Sequence, residues 1–281
     1  MIMINNLIKK YGRNLVLNNL NLKIEKGKTY GLVGENAAGK TTLINCITNI
    51  IKDYKGEIKY NFDQKLLGFM PQDAVLEEDL TPEKLLLFFS SLNNYNNKNV
   101  SWALKFAGCY DFRDKKIKNL SHGMRRKVMF AQAILNNPDL VILDEPTSGL
   151  DPKIIIGIRQ LIKKLKNKGK TILISSHNTQ DIEEICDRLL FLENGVLKQQ
   201  KINDYRGSNM IKILLKSRSN NNLFDDIKKI KNVLKVKLDN MELIIFIRNE
   251  KLLNNTLKNI IGKNLDFVNI RVGREVDDIF K

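Results

Sequence analysis

Two short runs of this sequence have the residue types and spacing for phosphate chemistry. In the first, Gly34-Glu35-Asn36-Ala37-Ala38-Gly39-Lys40-Thr41, the residues fit the pattern G-x-x-x-x-G-K-[ST]. Glycines in such a loop let backbone N–H groups surround phosphate oxygens, while the lysine reaches the terminal phosphates. Thr41 offers its hydroxyl to Mg²⁺, and Thr42 offers a second hydroxyl near the terminal phosphate. A helix starting at the loop adds the positive end of its dipole. The plainer alternative is a structural turn between a strand and a helix. The second run is Asp144-Glu145, which closes the apolar stretch Leu140 to Leu143. Adjacent carboxylates at the carboxyl end of a buried strand lie where ligands bind in open α/β sheets. Asp144 is suited to hold Mg²⁺, directly or through water. Glu145 is suited to orient or deprotonate a water attacking the γ-phosphate.

The surrounding pattern supplies the elements these runs need. Apolar residues alternate through Leu15, Leu17, Leu20, Leu22 and Ile24, and Thr29 to Val33 has a buried-strand pattern, so the chain opens with strands. Thr41 to Ile50 reads as a helix, which puts the first run in a strand, loop and helix order. Thr81-Pro82-Glu83-Lys84 sets a capping residue ahead of a proline at the first helical position. Helical character follows to about Leu135. Then come a strand at Leu140 to Leu143, a helix through Ile154 to Lys166 and a strand at Thr171 to Ser175. Strands alternating with helices predict a parallel, helix-covered sheet. The final segment reads as strand Lys212 to Lys216, helix Leu223 to Ile230, strands Val233 to Leu238 and Leu243 to Arg248, helix Lys251 to Ile261 and strand Asp266 to Val272. That β-α-β-β-α-β order is that of a small split-βαβ domain. The expected organisation is an α/β domain over 1–205, with a helical subdomain at about 75–135, and a small α+β domain over 206–281, divided near Asp204 to Ser208.

Composition narrows the setting. The longest apolar stretches fall far short of the roughly 18 to 20 residues a membrane-crossing helix needs. Asn5, Asn6, Lys9 and Lys10 interrupt the N-terminus where an export signal needs an apolar core. The 3 cysteines, Cys46, Cys109 and Cys186, are far apart and lack CxxC spacing, which fits a reducing cytosol. The formal charge of +16 invites polyanions. It is spread through a chain rich in Lys, Asn and Ile, so no dedicated nucleic-acid surface is expected. Arg125-Arg126-Lys127, the longest basic run, also suits a solvated helix face.

With both runs in hand, the chain resembles the ATP-binding cassette (ABC) family over about residues 1 to 205, and smaller motifs carry the resemblance further. Gln72 resembles the family's Q-loop glutamine, which contacts Mg²⁺ and the reacting water; on its own it reads rather as a solvated loop residue. Leu120-Ser121-His122-Gly123-Met124 resembles the LSGGQ signature, with His122 and Met124 departing from it while Ser121 and Gly123, the phosphate-contacting positions, remain. Ser121 alone would be an ordinary helix cap. Ser148-Gly149-Leu150-Asp151 resembles the D-loop joining two sites. His177, one of only 2 histidines, resembles the switch histidine that binds the γ-phosphate. Tyr11 has the position of the aromatic that stacks on adenine, and in isolation would be a half-buried ring.

The resemblance implies a P-loop NTPase fold of the ABC type and an ATP hydrolase using ATP and Mg²⁺. It also implies a homodimer or heterodimer, because the family's sites combine the phosphate loop of one subunit with the signature of another. Its membrane partner would be a separate polytopic permease docking near Gln72 to Leu92, with the chain peripheral on the cytoplasmic face of the cell membrane. The ending Arg274-Glu275-Val276-Asp277-Asp278-Ile279-Phe280 resembles the close of bacterial drug-, bacitracin- and sodium-exporter ATPases. A soluble cassette ATPase acting on ribosomes or nucleic acid, and an importer ATPase, remain the alternatives.

Overall fold

The computed structural model describes residues 1–93, 95–96, 98–176, 182, 185–201, 209–216, 221–239, 241–247, 252–263 and 266–273. His177, the expected boundary at Asp204 to Ser208, and the ending Arg274 to Phe280 lie outside them. The chain divides into two compact units, Met1–Gln200 and Lys201–Lys281.

The first unit begins with β1 (Ile2–Tyr11), β2 (Asn14–Ile24), β3 (Thr29–Val33), α1 (Lys40–Ile47), β4 (Lys55–Tyr60) and β5 (Leu67–Met70). Three helices follow, α2 (Pro82–Leu92), α3 (Lys98–Ala107) and α4 (His122–Ala133). The unit then continues through β6 (Leu140–Leu143), α5 (Pro152–Asn167), β7 (Thr171–Ser175), β8 (Arg188–Glu193) and β9 (Val196–Lys201).

β1 lies between β2 and β4 in an antiparallel sheet. Leu17, Leu20, Leu22 and Ile24 of β2 are buried, while Leu15, expected on the same face, is 41% exposed. The spacing from Leu17 to Leu20 breaks a period of two. Pairing absorbs it with one extra residue on β2 opposite Leu7 to Lys9, where Asn19 sits at φ 49. Such a bulge returns the later side chains to the core face.

The main sheet has the order β5-β6-β7-β3-β8-β9 and is parallel from β5 to β8. β3, β6 and β7 are buried at every residue. Parallel strands covered on both faces read as continuous apolar runs for that reason. β8 turns into β9 through Asn194-Gly195, both at positive φ, the conformation a two-residue hairpin turn demands. Helices α2, α3 and α4 pack on one another, with Leu86, Leu104 and Phe130 buried. Thr81 caps α2, its Oγ1 accepting the Lys84 N–H at 3.3 Å, with Pro82 at the first position.

The second unit contains β10 (Asn209–Leu215), α6 (Asn221–Lys228), β11 (Val233–Asp239), β12 (Glu242–Ile247), α7 (Leu253–Ile261) and β13 (Phe267–Gly273). Its antiparallel sheet runs β11-β12-β10-β13. Ile211, Ile213 and Leu215 alternate onto the face that packs with Ile227 of α6 and Ile260 of α7. Among the described residues, no helix is long and apolar enough to cross a membrane.

Candidate functional site

The loop from Gly34 to Gly39 leaves the carboxyl end of β3, a central strand of the main sheet, and enters α1 at Lys40. Gly39 sits at φ 100, and a Cβ there would lie 3.0 Å from Val16 Cγ1. Both the conformation and the close approach of β2 require glycine. Ala37 is also left-handed, at φ 65, and the Ala38 N–H donates to the Glu35 carbonyl at 3.2 Å. Lys40 folds beneath the loop. Its Nζ donates to the Gly34 carbonyl at 2.8 Å and to the Glu35 carbonyl at 3.1 Å.

A cleft of about 590 Å³ opens over this loop. Asn36, Ala37, Gly39, Lys40, Thr41 and Thr42 line one side, Gln72 and Glu145 line the other, and Asn14, Val16 and Ser148 complete it. The two runs chosen for their chemistry therefore face each other, because β3, β5 and β6 all end at the same edge of the parallel sheet.

Asp144 follows β6 and is 1% exposed, one step behind Glu145. Its backbone N–H donates to the Met70 carbonyl at 2.9 Å, tying β6 to β5. β7 separates β6 from β3, and its last residue, Ser175, is buried there. The Ser175 Oγ donates to Asp144 Oδ1 and accepts the Glu145 N–H at 2.8 Å. Asp144 Oδ2 is buried and accepts no hydrogen bond. A desolvated carboxylate oxygen without a donor costs free energy unless something positive meets it. Among the described residues, no cluster of three or more His, Cys, Asp or Glu could hold a metal ion. A single carboxylate accompanied by a hydroxyl and substrate phosphates suits Mg²⁺, which keeps several waters and seldom takes an all-protein cage.

Glu145 itself is at φ 46, a region that costs a residue with a Cβ about 1 kcal/mol or more. Arg126 of α4 helps hold it there. Its guanidinium donates to the carbonyls of Glu145, of Pro146 at 3.1 Å and of Gln72 at 2.6 Å. Burial pushes the Arg126 pKa down, while Asp73, Glu145 and Asp144 oppose that shift. The basic run equally suited a solvated helix face, but Arg126 is 5% exposed, because it reaches inward to the carbonyls of Gln72, Glu145 and Pro146.

Among the described residues, the expected Ser121, Gly123, Asp151 and Tyr11 do not line this cleft in a single chain. Ser121 caps α4, its Oγ accepting the Met124 N–H at 3.3 Å. Gly123 lies where a Cβ would come within 2.4 Å of Ile154 Cδ1, so glycine lets α4 approach α5. Asp151 precedes α5 without a side-chain capping bond. Tyr11 is 51% exposed, with the Lys9 ammonium 4.8 Å from its ring centroid. Sequence reasoning missed Asn14, Val16, Ser175 and Arg126 and named Ser148 only within a motif. Of these, Ser148 stood in the run resembling the D-loop, Arg126 in the longest basic run and Ser175 at the end of a predicted strand.

A glycine-rich loop at a helix N-terminus, a lysine beneath it and a carboxylate pair two strands away define a P-loop NTPase. Residues 17–148 match the family described as ABC transporter. An uncharacterized ABC transporter ATP-binding protein of Methanocaldococcus jannaschii is 36% identical, over 69% of this chain and 74% of that protein. A Nod factor export ATP-binding protein of Burkholderia orbicola is 35% identical, over 68% of this chain and 67% of its own. The dimeric structure of an ATP-binding cassette in a post-hydrolysis state, bound to ADP and Pi, aligns with a TM-score of 0.63 at 28% identity, over 72% of this chain and 99% of that one. The chain belongs to the family of ABC transporter ATP-binding proteins, whose general activity is ATP hydrolysis.

Proposed function

We propose that this protein binds ATP with Mg²⁺ and hydrolyses it to drive a separate polytopic permease that exports its cargo. One observation carries the catalytic part: Lys40, Thr41, Gln72 and Glu145 meet in one cleft beside a buried Asp144 oxygen that accepts no hydrogen bond. Thr41, Asp144 and Gln72 would hold Mg²⁺, which when bound supplies positive charge against the phosphate oxygens.

The loop from Gly34 to Gly39, Thr41 and Thr42 bind the phosphates through backbone N–H groups and hydroxyls. Lys40 exchanges the carbonyls of Gly34 and Glu35 for phosphate oxygens. Glu145, held in its strained turn, orients the attacking water and accepts its proton. Donors already fixed around the cleft stabilise the charge that develops during transfer without reorganising. Tyr11 is assigned to the adenine and His177 to the γ-phosphate.

Ser121, Gly123 and Asp151 lie off the cleft of their own chain. The proposal is that they complete the cleft of a second cassette, in a homodimer or heterodimer. The dimeric cassette similar to this chain supports that reading, and the Nod factor export relative supports export. With no described helix able to span a bilayer, the chain is proposed to act at the cytoplasmic face of the membrane.

The test has two arms. Purified protein is expected to release phosphate from ATP only with Mg²⁺ present; no release would overturn the hydrolytic reading. Tagged Glu145→Gln protein, captured from its own cells with ATP and Mg²⁺, is expected to retain one polytopic membrane protein in near-stoichiometric amount. Recovery of ribosomal proteins or nucleic acid instead would keep the ATPase and discard transport.

A further inference from the structure

The three carbonyls that receive Arg126 belong to the two segments carrying the proposed water-handling residues. Gln72 follows β5, and Glu145-Pro146 follows β6. Arg126 comes from neither segment but from α4, a little more than one turn past Ser121 at that helix's N-terminus. Its Nη1 reaches the Gln72 carbonyl at 2.6 Å, its Nε reaches the Pro146 carbonyl at 3.1 Å, and its Nη2 reaches the Glu145 carbonyl.

A guanidinium is suited to this geometry because it presents several donors in one rigid plane. Lysine, with a single nitrogen on a flexible stem, cannot span three carbonyls from two segments with the same geometry. Both groups are largely buried: Arg126 is 5% and Glu145 6% exposed. In such surroundings charge-assisted hydrogen bonds are strong and a lost donor is costly.

Glu145 also needs restraint. At φ 46 its peptide stands in a conformation that persists only where neighbours over-determine it. Ser175 holds the N–H of Glu145 from the β7 side, and Arg126 holds its carbonyl from the α4 side. The Ser148 N–H also donates to the Glu145 carbonyl at 3.2 Å, and from this held backbone Glu145 lines the cleft.

We infer that Arg126 is a positioning residue for hydrolysis: its guanidinium clamps the Gln72 segment to the Glu145 turn and ties both to the helix headed by Ser121. The inference rests on the hydrolytic reading proposed above. Arg126 does not line the cleft over the Lys40 loop, and its effect passes through the backbone of Gln72 and Glu145, which do. Binding of ATP, which relies on the Lys40 loop, does not depend on it.

The experiment compares the parental chain with Arg126→Lys and Arg126→Gln. Both are expected to melt cooperatively, to keep KM for ATP within about twofold and to lose about tenfold or more in kcat, as misplacement of a reacting group does. Hydrogen exchange is expected to quicken at the backbone amides of Gln72, Asp73, Glu145 and Thr147 while that of α1 is unchanged. Ile158→Val, which trims the core under α5, serves as a control for lost stability and is expected to keep kcat.

Parental kcat in a folded Arg126→Lys chain, a rise in KM with kcat intact, or an equal kcat loss in the control would overturn the clamp. Failure of both variants to fold would assign Arg126 to stability alone and overturn it as well. A parental chain that binds ATP but releases no phosphate would instead sink the hydrolytic reading. In that case unchanged exchange in the variants would refute the clamp and local quickening would support it.

Discussion

The phosphate loop and the acidic turn face each other across one cleft but are assembled differently. The loop is made of consecutive residues whose N–H groups, glycine at φ 100 and lysine all come from 34–41. The turn depends on four separated segments: β6 supplies Asp144 and Glu145, β7 supplies Ser175, α4 supplies Arg126 and the end of β5 supplies a carbonyl for Asp144. A local device tolerates changes elsewhere and fails when its own residues change. A non-local one can be damaged from several places, each acting through geometry.

The sharpest break between the two is expected at Lys40. Lys40→Ala should lose nucleotide binding by about a hundredfold or more, because it removes the charge aimed at the terminal phosphates. Titration with a fluorescent ATP analogue measures this, and unchanged affinity would contradict the assignment. Glu145→Gln should show the opposite pattern, with ATP binding retained and turnover slowed by about a hundredfold. A variant hydrolysing at the parental rate would remove Glu145 from this role.

A smaller effect separates the turn's supports from its chemistry. Ser175→Ala removes one donor to Asp144 and one acceptor for Glu145, and is expected to lower kcat by about tenfold and to raise the Mg²⁺ concentration needed for half-maximal activity. Equal Mg²⁺ dependence in the two chains would deny Ser175 that part. Smaller again is Tyr11→Ala, which should weaken ATP affinity by only a few-fold, since half the ring is already exposed and one stacked aromatic contributes about 1 kcal/mol. Unchanged ATP affinity would exclude base stacking by Tyr11.

Away from the cleft, burial raises the Cys46 thiol from 9.0 to about 11 and the Cys109 thiol from 9.0 to about 12. Their folded values lie above those of the unfolded chain, so the unfolded state loses its thiol protons first. The stability they contribute is complete below about pH 9 and declines as pH rises toward 11 and 12. Urea melts at pH 8 and 10 check the sign; equal midpoints would contradict it.

Much of the site was legible because its motifs are local. The loop of 34–41, the strand ending in Asp144-Glu145 and the Thr81-Pro82 helix start each show their chemistry within a few residues. The order of elements in the second unit was equally readable, since Ile211, Ile213 and Leu215 alternate as a strand covered on one face must. β4 was not readable, because most of its residues are exposed and leave no apolar period. Nor was the exposure of Leu15, which looked like part of one alternating face but is set off from buried Leu17 by a further register shift, opposite Lys9 and Lys10. Arg126 looked like a surface residue because sequence reports its charge but not the carbonyls that await it.

The sequence by itself determined the ABC resemblance and which side chains could handle phosphate, metal and water, because those capacities reside in residue type and close spacing. Only the tertiary structure decided that β7 stands between β3 and β6, bringing Ser175 against Asp144, and that α4 turns Arg126 inward onto Gln72, Glu145 and Pro146. Strand order and helix rotation result from packing between distant segments, where apolar burial is non-directional and many pairings share one hydrophobic pattern.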